Sequence, residues 1–277
     1  ISKGQLHNLY LKYLKPFGLS TNIVIPYKDK INSNICDLVI INNPDDVERI
    51  TEKHVKKTPY LKPFVYGSII STTDVEHWRK QRRSYQPGFS INDKLKPIIP
   101  VSNYLAKLSI EKLKKNSRRC DGEYFDIYEF FLNETMLQLQ IAMFGFSEKF
   151  EKETNSKIRK AFNTNDPIYS SEFVNSFLKE LELSDGPLSQ VMKERNKETK
   201  SKAEIIGNAL IFPFAGHDTT ANTLTWLIYE LGKNNKAMIK LQNEVDNFWL
   251  DIKEQDNITF EDFKKLPYMT RCIMETL

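Results

Sequence analysis

The sequence predicts a mainly helical fold with a small β region near the N-terminus, and three observations predict it. Apolar residues recur at helical spacing through most of the chain after Asp74. One of these helices, about residues 202–231, is roughly 45 Å long at about 1.5 Å per residue, enough to cross a whole domain. Ahead of them lies a β-branched run, Ile35-Cys36-Asp37-Leu38-Val39-Ile40-Ile41, that stops at Asn42-Asn43-Pro44. With 277 residues, 40% of them hydrophobic and 27% charged, the composition is globular and has ample material for a core. No internal repeat or low-complexity linker divides it. The chain therefore reads as one domain, about 1–70 mixed α/β and about 71–277 helical.

The elements follow in order. Ile35–Ile41 is a buried strand ending in a turn, and Asp45 to Glu52 is a short helix with Val47 and Ile50 inward. Pro59, Pro63 and Gly67 make the next stretch a loop. Residues 101–115 place Val101, Tyr104, Leu105, Leu108 and Leu113 on one helical face, with lysines on the other. Residues 127–144 form a strongly apolar helix buried on several sides, and the polar stretch 148–166 is a solvated helix or loop. Ser201 and Glu204 form a capping box at the start of the long helix, each side chain satisfying a free amide of the first turn. Gly232 supplies its left-handed stop. Pro267 suits the start of a last helix whose inward stripe is Met269, Cys272 and Ile273.

Composition removes most common chemistries. The 10 glycines come no closer than Gly207 and Gly216, which excludes GxGxxG, GxxxxGK[ST] and GxSxG signatures. The four histidines (His7, His54, His77, His217) never fall at HExxH spacing. Cys36, Cys120 and Cys272 form no CxxC pair and read as reduced, mostly buried thiols. The net charge of +4 is diffuse and lacks the aromatic-basic interleaving of a nucleic-acid surface, so no nucleic-acid partner is expected. No apolar run approaches the roughly 18 residues of a spanning helix. The chain begins Ile1-Ser2-Lys3 with no initiator Met, so something before it is expected to be missing. As given the chain reads as soluble with no membrane anchor, membrane-associated if a removed segment held one, and the compartment stays unknown.

Three constellations remain. In the long helix, residues 209–215 are apolar on every side, which marks a buried helix. Gly216-His217-Asp218-Thr219-Thr220 then interrupts it. Interior glycine costs about 1 kcal/mol against alanine and Pro213 about 3 kcal/mol. At about 100° per residue, Phe212, Ala215, Gly216, Thr219, Thr223 and Trp226 share one stripe. Ala215 and Gly216 at its centre leave a hollow for a flat object, with Asp218 and the Thr219 hydroxyl beside it. The competing reading is a bend that packs another helix tightly, with Asp218 hydrogen-bonded to a loop. Second, Trp78 and Arg82 sit at i and i+4 on one face of a basic helix, where indole and guanidinium suit an anion on a flat apolar body. The competing reading is an exposed basic helix anchored by one tryptophan. Third, Leu266-Pro267-Tyr268-Met269 opens a helix that carries Glu275 and stops in mid-helix at Leu277.

Together these segments resemble the cytochrome P450 superfamily of haem-thiolate monooxygenases. Ala215-Gly216-His217-Asp218-Thr219-Thr220 is similar to that family's oxygen-activation motif, Trp78 and Arg82 to its WxxxR motif, and Glu275 to the Glu of its ExxR helix. Order and spacing agree over about residues 35–277. The arginine of ExxR would fall immediately after Leu277, and the haem-ligand loop with its cysteine is expected downstream, so the chain reads as an incomplete P450-like domain with no metal ligand of its own.

The resemblance implies a haem cofactor held by Trp78, Arg82, Ala215 and Gly216. It implies insertion of one oxygen atom from O2 into a small apolar organic substrate, with an electron-donating reductase as partner. Asp218 would relay protons from solvent, Thr219 would hydrogen-bond the bound oxygen, and Glu275 would be the structural ExxR partner. Phe212, Phe214 and Thr223 would line the substrate side, as would the loop Tyr60–Ile70. Arg79, Lys80 and Arg83 suit either an acidic redox partner or a solvated face. His217 falls on the variable position of the motif and is not expected to ligate iron. The alternative is a non-catalytic P450-like protein that naturally ends before the thiolate loop.

Overall fold

The computed structural model describes residues 23–28, 35–41, 43–53, 57, 65, 67–117, 125–154, 167–252 and 257–277, with the backbone alone at 23–28, 35–40, 117 and 167–170. These fall into two compact units, 1–60 with 73–75, and 61–72 with 76–277.

In the first unit, β1 (Ile23–Lys28) pairs antiparallel with β2 (Ile35–Ile40), Ile23 opposite Ile40 and Lys28 opposite Ile35. The β2 side chains, Cys36 among them, lie outside the described residues. Helix α1 (Pro44–Lys53) follows, with Asn43 Oδ1 accepting from the Asp45 amide at 3.0 Å and Pro44 in the first turn, where its missing N–H costs nothing. Val47 was expected to point inward but is 42% exposed, and α1 buries no residue. Its face is set by charge, Asp45, Asp46, Glu48, Arg49 and Glu52 leaving too narrow an apolar stripe to bury.

The second unit is helical. Its elements are α2 (Val75–Tyr85), α3 (Lys96–Ser117), α4 (Ile127–Gln138), α5 (Pro167–Leu183), α6 (Pro187–Glu198), α7 (Lys202–Lys233), α8 (Asn235–Asp251) and α9 (Pro267–Thr276). The apolar helix expected over 127–144 is α-helical to Gln138 and closes in a π-turn, Leu139–Met143. Residues 148–154 of the polar stretch are helical, and the rest of it, with most of the Tyr60–Ile70 loop and Cys120, lies outside the described residues.

The core is aromatic. Phe144 stacks on Phe146 at 4.9 Å and meets Phe177 edge-on at 5.2 Å, while Met136, Leu181, Leu188, Met192, Ala209 and Leu210 fill in around them. Helix α7 runs through this core with α4 packed along it. Thr135 of α4 donates to the His217 carbonyl at 3.0 Å, joining the two helices.

Two helix ends correct the sequence reading. At the start of α7, Ser201 Oγ accepts from the Glu204 amide at 3.3 Å, but the Glu204 carboxylate does not return to Ser201. Fully buried, it accepts from Arg195 Nε at 2.6 Å and Nη2 at 3.1 Å, and from Thr199 Oγ1 at 2.9 Å. A buried guanidinium is the stronger partner, and the capping box is half made. At the other end Gly232 stays inside the helix and Gly145 is the described glycine with positive φ. The chain turns at Asn234, whose side chain accepts from the Ala237 amide at 3.2 Å and so caps α8.

Candidate functional site

Helix α2 lies along the first half of α7 with matching four-residue steps. His77 Nε2 is 2.9 Å from Glu204, Gln81 Oε1 accepts from Asn208 at 3.2 Å, and the Tyr85 hydroxyl accepts from Asn208 at 3.0 Å. The Tyr85 ring meets Phe212 edge-on at 4.9 Å. Asn208 also accepts from the Ile69 amide at 2.9 Å, which ties the described end of the 65–72 loop to the same turn. Helical period forces this alignment: 77, 81 and 85 form one row of α2 and 204, 208 and 212 one side of α7. Burial, then the Glu204 charge, raises the Tyr85 ionisation far above the ordinary tyrosine range. The hydrogen bond from Arg195 to Glu204 raises that guanidinium's pKa further.

Beyond Phe212 this side of α7 opens. Ala215 and Thr219 are exposed, Asn222 and Thr223 half-buried, and Trp226 is 55% exposed with its ring against Tyr229. The opposite side is closed: Pro213, His217 and Ala221 are buried, and His217 Nδ1 lies 2.8 Å from the Pro213 carbonyl. His217 thus points away from the stripe. Thr219 Oγ1 donates to the Ala215 carbonyl at 2.9 Å and Thr223 Oγ1 to the Thr219 carbonyl at 3.0 Å. Each hydroxyl has spent its proton on the backbone and turns lone pairs outward.

Asp218, half-buried, is held from the side. The Tyr128 hydroxyl of α4 donates to its Oδ1 at 3.2 Å, where a loop partner had been the alternative expectation. Burial first, then the Asp218 charge, raises the Tyr128 ionisation above its ordinary value.

Two expected site residues fall elsewhere. Gly216, expected to leave a bare surface for a flat group, gives that surface to Leu139: an added β-carbon would lie 2.8 Å from Leu139 Cδ2. Phe214 leaves α7 about 200° around from Phe212, is 40% exposed and turns its ring towards His217, so the two phenylalanines do not share a face.

Trp78 and Arg82 sit one position round from the α2 row that meets α7. Trp78 is half-buried, and Arg82 is exposed with no hydrogen bond or ion pair among the described residues. Glu275, on α9, lies with Glu230, Tyr268, Arg271 and Cys272 around a separate cavity of about 520 Å³ at the C-terminal end of α7. The expected inward stripe of α9, Met269, Cys272 and Ile273, is half-buried.

A haem fits part of this arrangement. From Ala215 to Thr219 the open side of α7 carries only a methyl and a hydroxyl, so a flat ring can approach the backbone, and Arg82 has a guanidinium to offer a carboxylate. Cys272 lines the other cavity, and among the described residues no group of three His, Cys, Asp or Glu gathers to hold a metal ion. Among the described residues no helix is long and apolar enough to cross a membrane. Tyr128, Asn208 and Glu204's buried role were missed in the sequence, since nothing in spacing reveals partners from other helices.

A family model, Cytochrome P450, matches residues 31–181 and 179–277. The chain is similar to Cytochrome P450 4F8 of Homo sapiens, 25% identical over an alignment of 300 positions covering 88% of this chain and 56% of that protein. It is similar to Cytochrome P450 4F3 of Mus musculus, 23% identical over 79% of this chain and 50% of the relative. It also matches Carotene epsilon-monooxygenase, chloroplastic, of Arabidopsis thaliana, 42% identical over 82 residues, 30% of this chain and 14% of the relative. The chain spans about half the length of the P450 4F relatives it matches.

Proposed function

The chain belongs to the cytochrome P450 family, and from that premise we propose that the protein is a haem monooxygenase that inserts one oxygen atom from O2 into an apolar organic substrate, with electrons from a reductase. The observation that carries this reading is the open stretch of α7 on which the small Ala215 stands beside Asp218 and Thr219. The haem, when bound, supplies the oxygen activation. Ala215 gives a flat ring close approach to the helix, and Arg82, with Trp78 beside it, pairs with a ring carboxylate. Phe212 and Thr223 face the substrate. Gly216 serves the contact with Leu139 instead.

Asp218 is the proton carrier. Half-buried, it keeps access to water and takes up a proton at its carboxylate, then releases it towards Thr219. The Thr219 hydroxyl already donates to the Ala215 carbonyl, so it accepts the incoming hydrogen bond and fixes where the proton is delivered. A positioned acid of this kind is worth about 10²–10⁴-fold in rate. Glu275 is a structural residue of α9, and the β1–β2 ladder belongs to the same P450 domain as its small β region.

The test is Asp218→Asn in the protein expressed from its whole reading frame. Haem content stays unchanged, product formation falls by about 10²-fold or more, and the solvent isotope effect on it rises. An unchanged rate and isotope effect removes Asp218 from this role.

A further inference from the structure

We propose that Tyr128 is a positioning residue for Asp218, holding the carboxylate through Oδ1 so that Oδ2 is the oxygen that exchanges protons; this rests on the relay role given to Asp218 above. Helix α4 brings the phenol to α7, and its hydroxyl donates to Oδ1 at 3.2 Å. Among the described residues no donor reaches Oδ2. Asn222, one turn along α7, donates to the Asp218 backbone carbonyl at 2.9 Å. The carboxylate is thus held from the neighbouring helix by the phenol alone among the described residues.

The choice of partner matters chemically. A relay must take up a proton as readily as it gives one away. A guanidinium or ammonium beside Asp218 would favour the anion and lower its pKa by about 1–3 units. A neutral phenol orients a carboxylate while favouring the anion far less than an opposite charge does. The charges facing the phenol are Asp218 from α7 and Glu129 from its own helix, and with burial they keep it protonated, hence a donor, at neutral pH. An aspartate without such a contact samples several χ1 rotamers. Tyr128 selects one of them, and with it the direction in which Oδ2 faces relative to Thr219.

Two measurements test this. In the chain without any cofactor, ultraviolet titration of wild type against Tyr128→Phe isolates one tyrosine that ionises above the usual value of about 10. In an Asp218→Asn background the same difference titration moves to lower pH; an unmoved titration means that the two groups do not meet, and overturns the proposal. In the protein expressed from its whole reading frame, Asp218→Asn raises the solvent isotope effect on product formation. Tyr128→Phe raises it partway and slows turnover roughly ten-fold, the lower end for one hydrogen bond to a charged group, at unchanged haem content. The double variant goes no further than Asp218→Asn alone. A wild-type isotope effect in Tyr128→Phe, with a raised one in Asp218→Asn, overturns the positioning role alone. Wild-type values in both overturn the relay itself.

Discussion

The side chain of Leu139 lies against the bare Cα of Gly216, so close that a β-carbon there would sit 2.8 Å from Cδ2 and 3.0 Å from Cδ1. Two effects compete in Gly216→Ala. Helix propensity favours alanine by up to about 1 kcal/mol, and overpacking costs about 1–3 kcal/mol. Carbon contacts are comfortable only near 3.5–4.0 Å, and the Leu139 side chain that would have to yield is itself packed against the aromatic core, so overpacking wins. Gly216→Ala is expected to lower the stability of the chain by about 1 kcal/mol in urea unfolding. Combined with Leu139→Ala, the loss falls short of the sum of the single losses by at least about 0.5 kcal/mol. A stabilised Gly216→Ala chain contradicts the packing.

Glu204 and Arg195 make a second sharp case. The carboxylate is fully buried and the guanidinium is 7% exposed, and their closest contact is 2.6 Å. Removing Glu204 leaves the buried guanidinium only the longer, exposed Glu198 contact at 3.4 Å, so Glu204→Ala is expected to cost about 3–5 kcal/mol. His77→Ala, which removes the more exposed partner of the same carboxylate, is expected to cost no more than about 1 kcal/mol. Chemical denaturation of the two variants checks the order. Equal losses would mean that Glu204 is anchored by His77 rather than by Arg195.

The Tyr85–Asn208 contact carries a pH dependence. The Tyr85 ionisation is raised in the folded chain, first by burial and then by Glu204. The unfolded chain therefore loses the phenol proton first, near pH 10, while the folded chain keeps it. Stability from this group is full below about pH 10 and declines as pH rises towards the folded value. Tyr85→Phe is expected to flatten that alkaline decline while lowering stability at pH 8 by about 1–3 kcal/mol, because Asn208 loses a buried partner. An alkaline slope identical in the two chains contradicts the assignment.

Much of the helical fold was legible because it rests on period. The stripe through Ala215, Thr219 and Trp226 follows from 3.6 residues per turn, and it emerged on one side of α7. What failed depended on neighbours from elsewhere in the chain. Gly216 looked bare because Leu139 is 77 residues away in sequence. Glu204 looked like half of a capping box because nothing local announced Arg195. Gly232 looked like a stop, yet the chain turns where Asn234 can cap the helix that follows. Asp218 stands out in the sequence as an acid in need of a partner, while its partner Tyr128 carries no signal of its own in an apolar helix.

We propose that the Thr219 hydroxyl, beside Asp218 on the open side of α7, directs proton delivery to oxygen. The ratio of product formed to O2 consumed by Thr219→Ala, in the protein expressed from its whole reading frame, decides this role. Haem content and substrate binding are expected to stay like wild type, with O2 consumption largely uncoupled from product. A variant that retains the wild-type ratio contradicts it.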